Sequence, residues 1–466
     1  MVAPPKAPLD STTTIPSTGS KLVPSIQTKH EAALGTLLRE MLACKDSIPL
    51  YSGLRQSKWQ QMLQIGIYVL QNSAWPAIWA SEHLDLGPNT VQSLDDADVM
   101  YTTWDHLEAY IDSGKTLTLP TVVRGEIPQQ RHSESSVRQQ FSERMEDRFG
   151  NNKIDVQDPS IHIDQASARA VPTAEVLQRL EQAKKHLSND SLPYNLLNLR
   201  DVVEKPIPDI LERRRFQLIN SLSDRALSRK GSNSVAGKPH TDPIKNAAGE
   251  PYIDFYSCRS FNLYAQRGAV SGCHIDWLNG TWARLWTGLK AWPVMTNLTE
   301  QEMERYKKFE SLYLPEKNRL KMVVLEPGDT LIMPPGTMVV HAPITIEDAL
   351  MDGGMFWDEQ QILSILRNIH TVANHPGLSN ELVARQFAGV MDALEKWIES
   401  DAKRFAGSRD EGDFKAEFQE ILADLKSVIS CDCAAPHCKP AKCPCFQSRS
   451  GCSHWCASHK SRSCQQ

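Results

Sequence analysis

The sequence predicts an α+β protein: a block of short strands flanked by helical segments and followed by a small, metal-stapled tail. Three observations predict it. Between residues 252 and 370 short β-rich runs are punctuated by Gly and Pro, which reads as a barrel or sandwich. On both sides apolar residues recur at helical spacing. Of eleven cysteines, only Cys44, Cys258 and Cys273 precede residue 430, and eight crowd into residues 431–464.

In chain order, residues 1–29 are rich in Pro, Ser and Thr and are expected to be disordered. Residues 30–115 read as a helical region, with Leu34, Leu37, Leu38 and Met41, then Trp59, Met62, Ile65 and Leu70, at helical spacing. Asp95, Asp96 and Asp98 precede another apolar run and suit a helix N-terminus. Residues 116–172 are mostly polar and read as a linker or insertion. Residues 173–249 form a helical lead-in, beginning with a helix over 173–187. Within 250–370 the strands fall at 261–266, 322–325, 330–333 and 338–340. Helical periodicity returns over 371–429, in segments 380–405 and 414–429, and residues 430–466 form the Cys-rich tail.

The 466 residues allow two or three domains. No segment approaches the roughly 20 apolar residues of a membrane-spanning helix. A net charge of −5 gives no overall nucleic-acid footprint, so any such contact must be local. The N-terminal stretch contains no apolar run, so an intracellular protein is expected, with its clustered cysteines binding metal rather than forming disulfides.

A His-x-Asp pair places two ligands on one face of a strand, because side chains two apart point the same way. Two imidazoles and one carboxylate with open positions left over form the facial triad of non-haem Fe(II) oxygenases. The chain has four such pairs: His83/Asp85, His162/Asp164, His240/Asp242 and His274/Asp276. The first lies at the end of a helical pattern, the second in the polar segment, and the third after Gly237-Lys238-Pro239, a turn that leaves it a fallback. Only His274/Asp276 follows a plausible strand. His341, after the turn–strand–turn of residues 325–336, is the third candidate ligand. A keto acid chelating such an iron leaves a far carboxylate in need of a cation or hydroxyl. Lys290, between Trp286 and Trp292, and Ser271, three residues before His274, suit that role.

These residues resemble the Jumonji C (JmjC) family of Fe(II)/2-oxoglutarate-dependent oxygenases, which includes histone lysine demethylases and protein hydroxylases. Residues 267–277 are similar to the family's iron-binding strand, Gly288 to Trp292 to its 2-oxoglutarate lysine segment, and residues 327–341 and 353–356 to its distal-histidine and closing strands. The resemblance covers about a quarter of the chain. It implies a double-stranded β-helix, the jelly roll or cupin-like barrel, with His274, Asp276 and His341 on Fe(II) and Lys290 and Ser271 on 2-oxoglutarate. The implied chemistry couples decarboxylation of 2-oxoglutarate to hydroxylation of a C–H bond. On an N-methyl group the product collapses to formaldehyde and the free amine. The implied substrate is protein, foremost methyl-lysine on histones. Ser271 stands where many members have Thr, and a tryptophan common before the distal histidine is absent.

The tail carries Cys431, Cys433, Cys438, Cys443, Cys445, Cys452, Cys456 and Cys464, with His437, His454 and His459 interspersed. So short a segment with few apolar side chains cannot bury a sufficient core, and structural Zn(II) is the expected staple. The first seven cysteines match the spacing of the tesmin-type CXC module, a zinc-dependent DNA-binding element. Beyond Cys456 the match fails, with Ser458 and Ser461 where that family has cysteines. Lys439, Lys442, Arg449, Lys460 and Arg462 against Asp432 suit phosphate contact, so DNA is a candidate partner of the tail.

The combined expectation is a nuclear chromatin regulator: an Fe(II)/2-oxoglutarate dioxygenase and histone demethylase with a zinc-binding tail and no membrane contact. A protein hydroxylase, a catalytically silent chromatin scaffold, or a cupin-type isomerase using another metal would draw on the same residues.

Overall fold

The computed structural model describes residues 26–81, 89–125, 134–150, 153–162, 168–182, 185–199, 207–228, 255, 257–381, 383, 386–432, 443–447 and 453–456. The strands are β1 (Ile78–Ala80), β2 (Thr90–Val91), β3 (Val99–Thr102), β4 (Thr121–Val123), β5 (Lys153–Gln157), β6 (Ala168–Pro172), β7 (Asn195–Leu199), β8 (Phe261–Ala265), β9 (Thr281–Ala291), β10 (Val294–Met295), β11 (Val324–Leu325), β12 (Thr330–Met333), β13 (Val340–His341) and β14 (Ile344–Met355). Twelve of them form one sheet, in the order β2-β1-β3-β4-β12-β9-β14-β8-β7-β5-β6, with β11 also paired to β9. Its pairings are antiparallel except for β2-β1-β3-β4 at one edge, which is parallel. A smaller antiparallel pair, β10–β13, is extended by single bridges Val270–Ile344, His274–His341 and Val294–Lys321.

The long strands β9 and β14 form the spine of the large sheet. Their register shifts between Thr345 and Met351. Gly288 sits in this irregular stretch at φ +83, and a Cβ there would lie 2.2 Å from the Asp348 carbonyl, so only glycine is accommodated. Arg284 and Asp352, opposite each other across the pair, form a buried ion pair, and the Trp286 indole donates to the same carboxylate at 2.7 Å.

The helices are α1 (Ile26–Ser47), α2 (Lys58–Asn72), α3 (Trp104–Asp112), α4 (Glu134–Phe149), α5 (Thr173–Glu181), α6 (Asp209–Glu212), α7 (Leu218–Ser228), α8 (Glu300–Phe309), α9 (Ile362–Asn374), α10 (Phe387–Ser400), α11 (Lys403–Ala406), α12 (Glu411–Ile429) and α13 (Pro444–Gln447). The main core joins α1 and α2, the inner faces of both sheets, and the C-terminal layer α9, α10 and α12. Among the described residues no helix is long and apolar enough to cross a membrane.

The architecture is therefore a mixed α/β protein with a large, mostly antiparallel sheet, and it corrects three expectations. Residues 30–115 are not purely helical, since β1, β2 and β3 lie within them. Asp95 and Asp96 sit in a 3-10 turn capped by the Ser93 side chain, and the run that follows is β3. All four residues of β3 are buried, so it lacks the alternation that marks a half-exposed strand. Nor are residues 116–172 a linker. They supply β4, α4, β5 and β6, and Val137, Phe141 and Met145 of α4 build a second core with Ile154, Val156 and Val171. That apolar stripe is one residue wide per turn and is hidden by its polar neighbours. In the lead-in the helix ends at Glu181, short of residue 187, and a strand, β7, intervenes. The expected disorder of residues 1–29 falls outside the described residues up to position 25, whereas residues 26–29 open α1.

Candidate metal centre

The candidate site lies between the two sheets. His274 and His341 face each other in an antiparallel bridge, each donating its backbone N–H to the other's carbonyl, at 3.0 and 2.9 Å. Such a reciprocal pair holds two Cα atoms roughly 5.5 Å apart with side chains on one face. The two imidazoles accordingly stand with ring centroids 4.1 Å apart. Asp276 joins from two residues further along the same extended segment as His274, which meets His341 in a single bridge. One ligand atom from each of His274, Asp276 and His341 lies within 4.8 Å of the others, a group that could hold a metal ion.

Hydrogen bonding prepares these side chains as donors. His274 Nδ1 lies 2.8 Å from the Gly272 carbonyl and His341 Nδ1 lies 3.2 Å from that of Val339. A proton on each Nδ1 satisfies those contacts and leaves each Nε2 with a lone pair. His341 Nε2 then faces Asp276 Oδ1 at 3.4 Å. A proton or a metal ion shared between the two atoms satisfies both. The other Asp276 oxygen accepts from Thr281 Oγ1 at 2.5 Å. Burial, followed by the neighbouring His341, pushes His274 down to about 3. Burial would raise the Asp276 carboxyl, but His341, His274 and the Thr281 hydroxyl hold it at about 2. Neutral imidazole and ionised carboxylate are the protonation states a divalent metal binds.

A cavity opens beside these donors. Its walls include Ser271, Lys290, Trp292, Thr345, Asn380 and Glu381. Trp292 stacks on His341 with centroids 5.9 Å apart, and Lys290 Nζ stands 5.4 Å from the Trp292 ring. Lys290 is buried, no carboxylate pairs with it among the described residues, and burial pushes it down to about 8. The Trp292 indole N–H and the Asn195 side-chain oxygen, both buried on the cavity wall, have no hydrogen-bond partner among the described residues. A buried lysine beside unsatisfied polar atoms fits an anionic, polar ligand.

The structure thus gathers five of the sequence candidates, His274, Asp276, His341, Lys290 and Ser271, around one cavity. His162 instead forms a bridge with Ser57, far from the site in the fold. Asp164 and the pairs His83/Asp85 and His240/Asp242 lie outside the described residues. Sequence reasoning missed Asn195, Thr281, Thr345, Asn380 and Glu381. Glu381 is half-buried at the cavity wall and accepts from the Trp277 backbone N–H at 3.1 Å. With no cation present, burial and then Asp276 push it up to about 8.

The tail offers a second candidate centre. The Sγ atoms of Cys431, Cys443 and Cys445 lie within 4.8 Å of one another, and Cys456 Sγ is 3.3 Å from that of Cys445. All four are buried together. A hydrogen bond from the Cys445 thiol, first among its causes, pushes Cys456 down to about 5 and Cys445 up. A thiolate already stabilised among three further sulfurs suits Zn(II), whose tetrahedral thiolates stand about 3.8 Å apart for bonds of about 2.3 Å. Cys433, Cys438, Cys452 and Cys464 lie outside the described residues, as do Lys439, Lys442, Arg449, Lys460 and Arg462. The knot rests on the C-terminal helices: Asp392 of α10 receives the Trp455 indole N–H at 2.8 Å and contacts His454 Nε2 at 2.5 Å.

Comparison with models of known protein families gives no match. The chain is 25% identical over 370 residues to the KK-1 biosynthesis cluster protein D of Curvularia clavata, covering 79% of this chain and 35% of that protein. It spans about a third of the length of the curated relative it matches.

Proposed function

We propose that the protein is an Fe(II)- and 2-oxoglutarate-dependent dioxygenase whose two sheets form a JmjC-type jelly roll. The observation that carries this reading is the convergence of His274, Asp276 and His341 beside a cavity holding a buried lysine that no carboxylate pairs with among the described residues. Two imidazoles and a carboxylate leave open positions on an iron, as a chelating co-substrate and O2 require. When bound, iron and 2-oxoglutarate would supply the oxidation: loss of CO2, formation of succinate and insertion of oxygen into a substrate C–H bond.

The protein's own contribution is geometric and electrostatic. The Gly272 and Val339 carbonyls and the Thr281 hydroxyl hold the three donors in orientation. Lys290, with Ser271 beside it, would neutralise the far carboxylate of 2-oxoglutarate. The surrounding apolar wall, including Phe261, Leu263 and Met355, keeps water from the reacting centre.

The family resemblance makes protein the substrate, with N-methyl-lysine of histones first and side-chain hydroxylation second, in a nuclear setting. The relative's name, a biosynthesis cluster protein, suggests a further setting for this chain, a biosynthesis cluster. In the tail, Zn(II) bound by Cys431, Cys443, Cys445 and Cys456 would order the knot, and the basic residues beyond it would contact DNA. A scaffold that binds DNA without turnover is the rival. The test is succinate release from 2-oxoglutarate across a panel of methylated and unmethylated histone peptides. Stimulation by a methylated peptide, with formaldehyde, supports demethylation. Stimulation without formaldehyde supports hydroxylation, and tail-dependent DNA retention with no iron-dependent succinate supports the scaffold.

A further inference from the structure

Glu381 is a carboxylate on the wall of a metal-centre cavity that none of the readings above uses. It comes from outside the two sheets, on the loop that follows α9. That loop is pinned against the His274–Asp276 strand: the Ile275 N–H and the Tyr306 hydroxyl both donate to the Leu378 carbonyl, at 2.9 and 2.7 Å. The Ser379 hydroxyl accepts from the Glu381 N–H at 3.1 Å and fixes the turn that directs the side chain. Oε2 accepts from the Trp277 N–H, while Oε1 accepts no hydrogen bond from any described residue.

The carboxylate is not a fourth member of the metal group, which closes on His274, Asp276 and His341 alone. Lys290 and Glu381 both line the cavity, a buried cation and a half-buried acid beside one metal group. Lys290 suits the carboxylate of the co-substrate, which leaves Glu381 for the group to be oxidised. A half-buried carboxylate oxygen with unused acceptor capacity favours a ligand that brings both positive charge and an N–H. Among the described residues the aromatic lining consists of Phe261 and Trp292, and Trp292 is already stacked on His341, so these residues supply no set of rings to enclose a quaternary ammonium.

We propose that Glu381 is the substrate-selecting residue of this site, receiving an ammonium group that carries at least one N–H. Resting on the oxygenase reading, the inference narrows its substrate class to lysyl or amine groups that are unmethylated, monomethylated or dimethylated, in preference to trimethylated or neutral ones.

The test measures binding, apart from turnover. Full-length protein loaded with Mn(II), which stands in for iron without turnover, and with 2-oxoglutarate is titrated by calorimetry. The probes are one short peptide sequence carrying dimethyl-lysine, trimethyl-lysine or norleucine at a single position. The dimethyl-lysine peptide should bind about tenfold or more tighter than the norleucine peptide, with trimethyl-lysine between them, and Glu381→Gln should lose most of that preference. Equal binding of dimethyl-lysine and norleucine peptides by the wild type overturns the proposal. So does a preference undiminished in Glu381→Gln, or no binding of the dimethyl-lysine peptide at millimolar concentration. If Glu381→Gln no longer takes up Mn(II), the wild-type comparison decides alone. Succinate release by the Fe(II)-loaded wild type is measured separately. Its absence would defeat the oxygenase reading while the Mn(II) titrations still report on Glu381.

Discussion

The two candidate centres are assembled in opposite ways. The tail knot draws its four described cysteines from residues 431–456, where short chain segments bring sulfurs together, and it stacks against α10 and α12. The His274–Asp276–His341 group joins positions far apart in the chain, and only the bridge between their strands makes them neighbours. The knot presents four thiols, enough to close a tetrahedron around a zinc ion, as a structural site would. The three donors between the sheets would leave coordination positions open toward a polar cavity, as the proposed oxygenase needs. A closed site stabilises the chain that surrounds it, whereas an open site depends on a fold that is already stable.

The largest expected effect of breaking this contrast is at the open site. His274→Ala, Asp276→Ala or His341→Ala should cut succinate formation by more than about a hundredfold, since the partners that merely orient ligands are each worth about 10–100-fold. Metal analysis should find the tail zinc retained. Cys443→Ser should do the reverse: loss of tail metal and rapid proteolysis beyond α12, with iron binding kept. Structural zinc contributes roughly 10–16 kcal/mol of apparent binding energy in small modules, so the knot should not survive its removal.

Lys290→Met should weaken 2-oxoglutarate binding by about 10–100-fold in calorimetry, as expected for loss of a charge-assisted hydrogen bond. The pH dependence has a definite sign. Burial holds Lys290 at about 8, below an ordinary lysine. The ammonium proposed to bind the co-substrate is therefore present below that pH and lost above it, and wild-type affinity should fall as pH rises through about 8, with no such fall in Lys290→Met. For stability the sign is opposite: the depressed value costs folding free energy below about 8, and the cost is relieved as pH rises toward 10.5. The smallest effect is at the contact between the knot and the helices. Asp392→Ala removes the acceptor of His454 and Trp455 and should raise proteolytic cleavage of the tail severalfold without releasing its metal.

The open site was the more legible of the two regions, although its parts are scattered. His274 and Asp276 are two apart on an extended segment, which alone puts both on one face, and Lys290 lies between tryptophans in a run too apolar for a surface lysine. Strand β9, which carries Lys290, was not recognised, because nine of its eleven residues are buried and it shows no alternation of buried and exposed positions. Glu381 left no signal. Its place beside Asp276 depends on the Leu378 carbonyl pinning a loop to a distant strand, a tertiary contact that no periodicity records. Strands β3 and β4 were missed for a related reason: short and wholly buried, they resemble helix fragments. In the tail, cysteine spacing pointed to metal, and the structure adds which four thiols meet and what they rest on.

The most direct test of the account is an anaerobic titration of the full-length protein with Fe(II), with and without 2-oxoglutarate. The account predicts one iron bound per chain beyond the tail metal, held more tightly when 2-oxoglutarate is present, and lost in His341→Ala. Equal iron uptake by the wild type and His341→Ala, indifferent to 2-oxoglutarate, would contradict it.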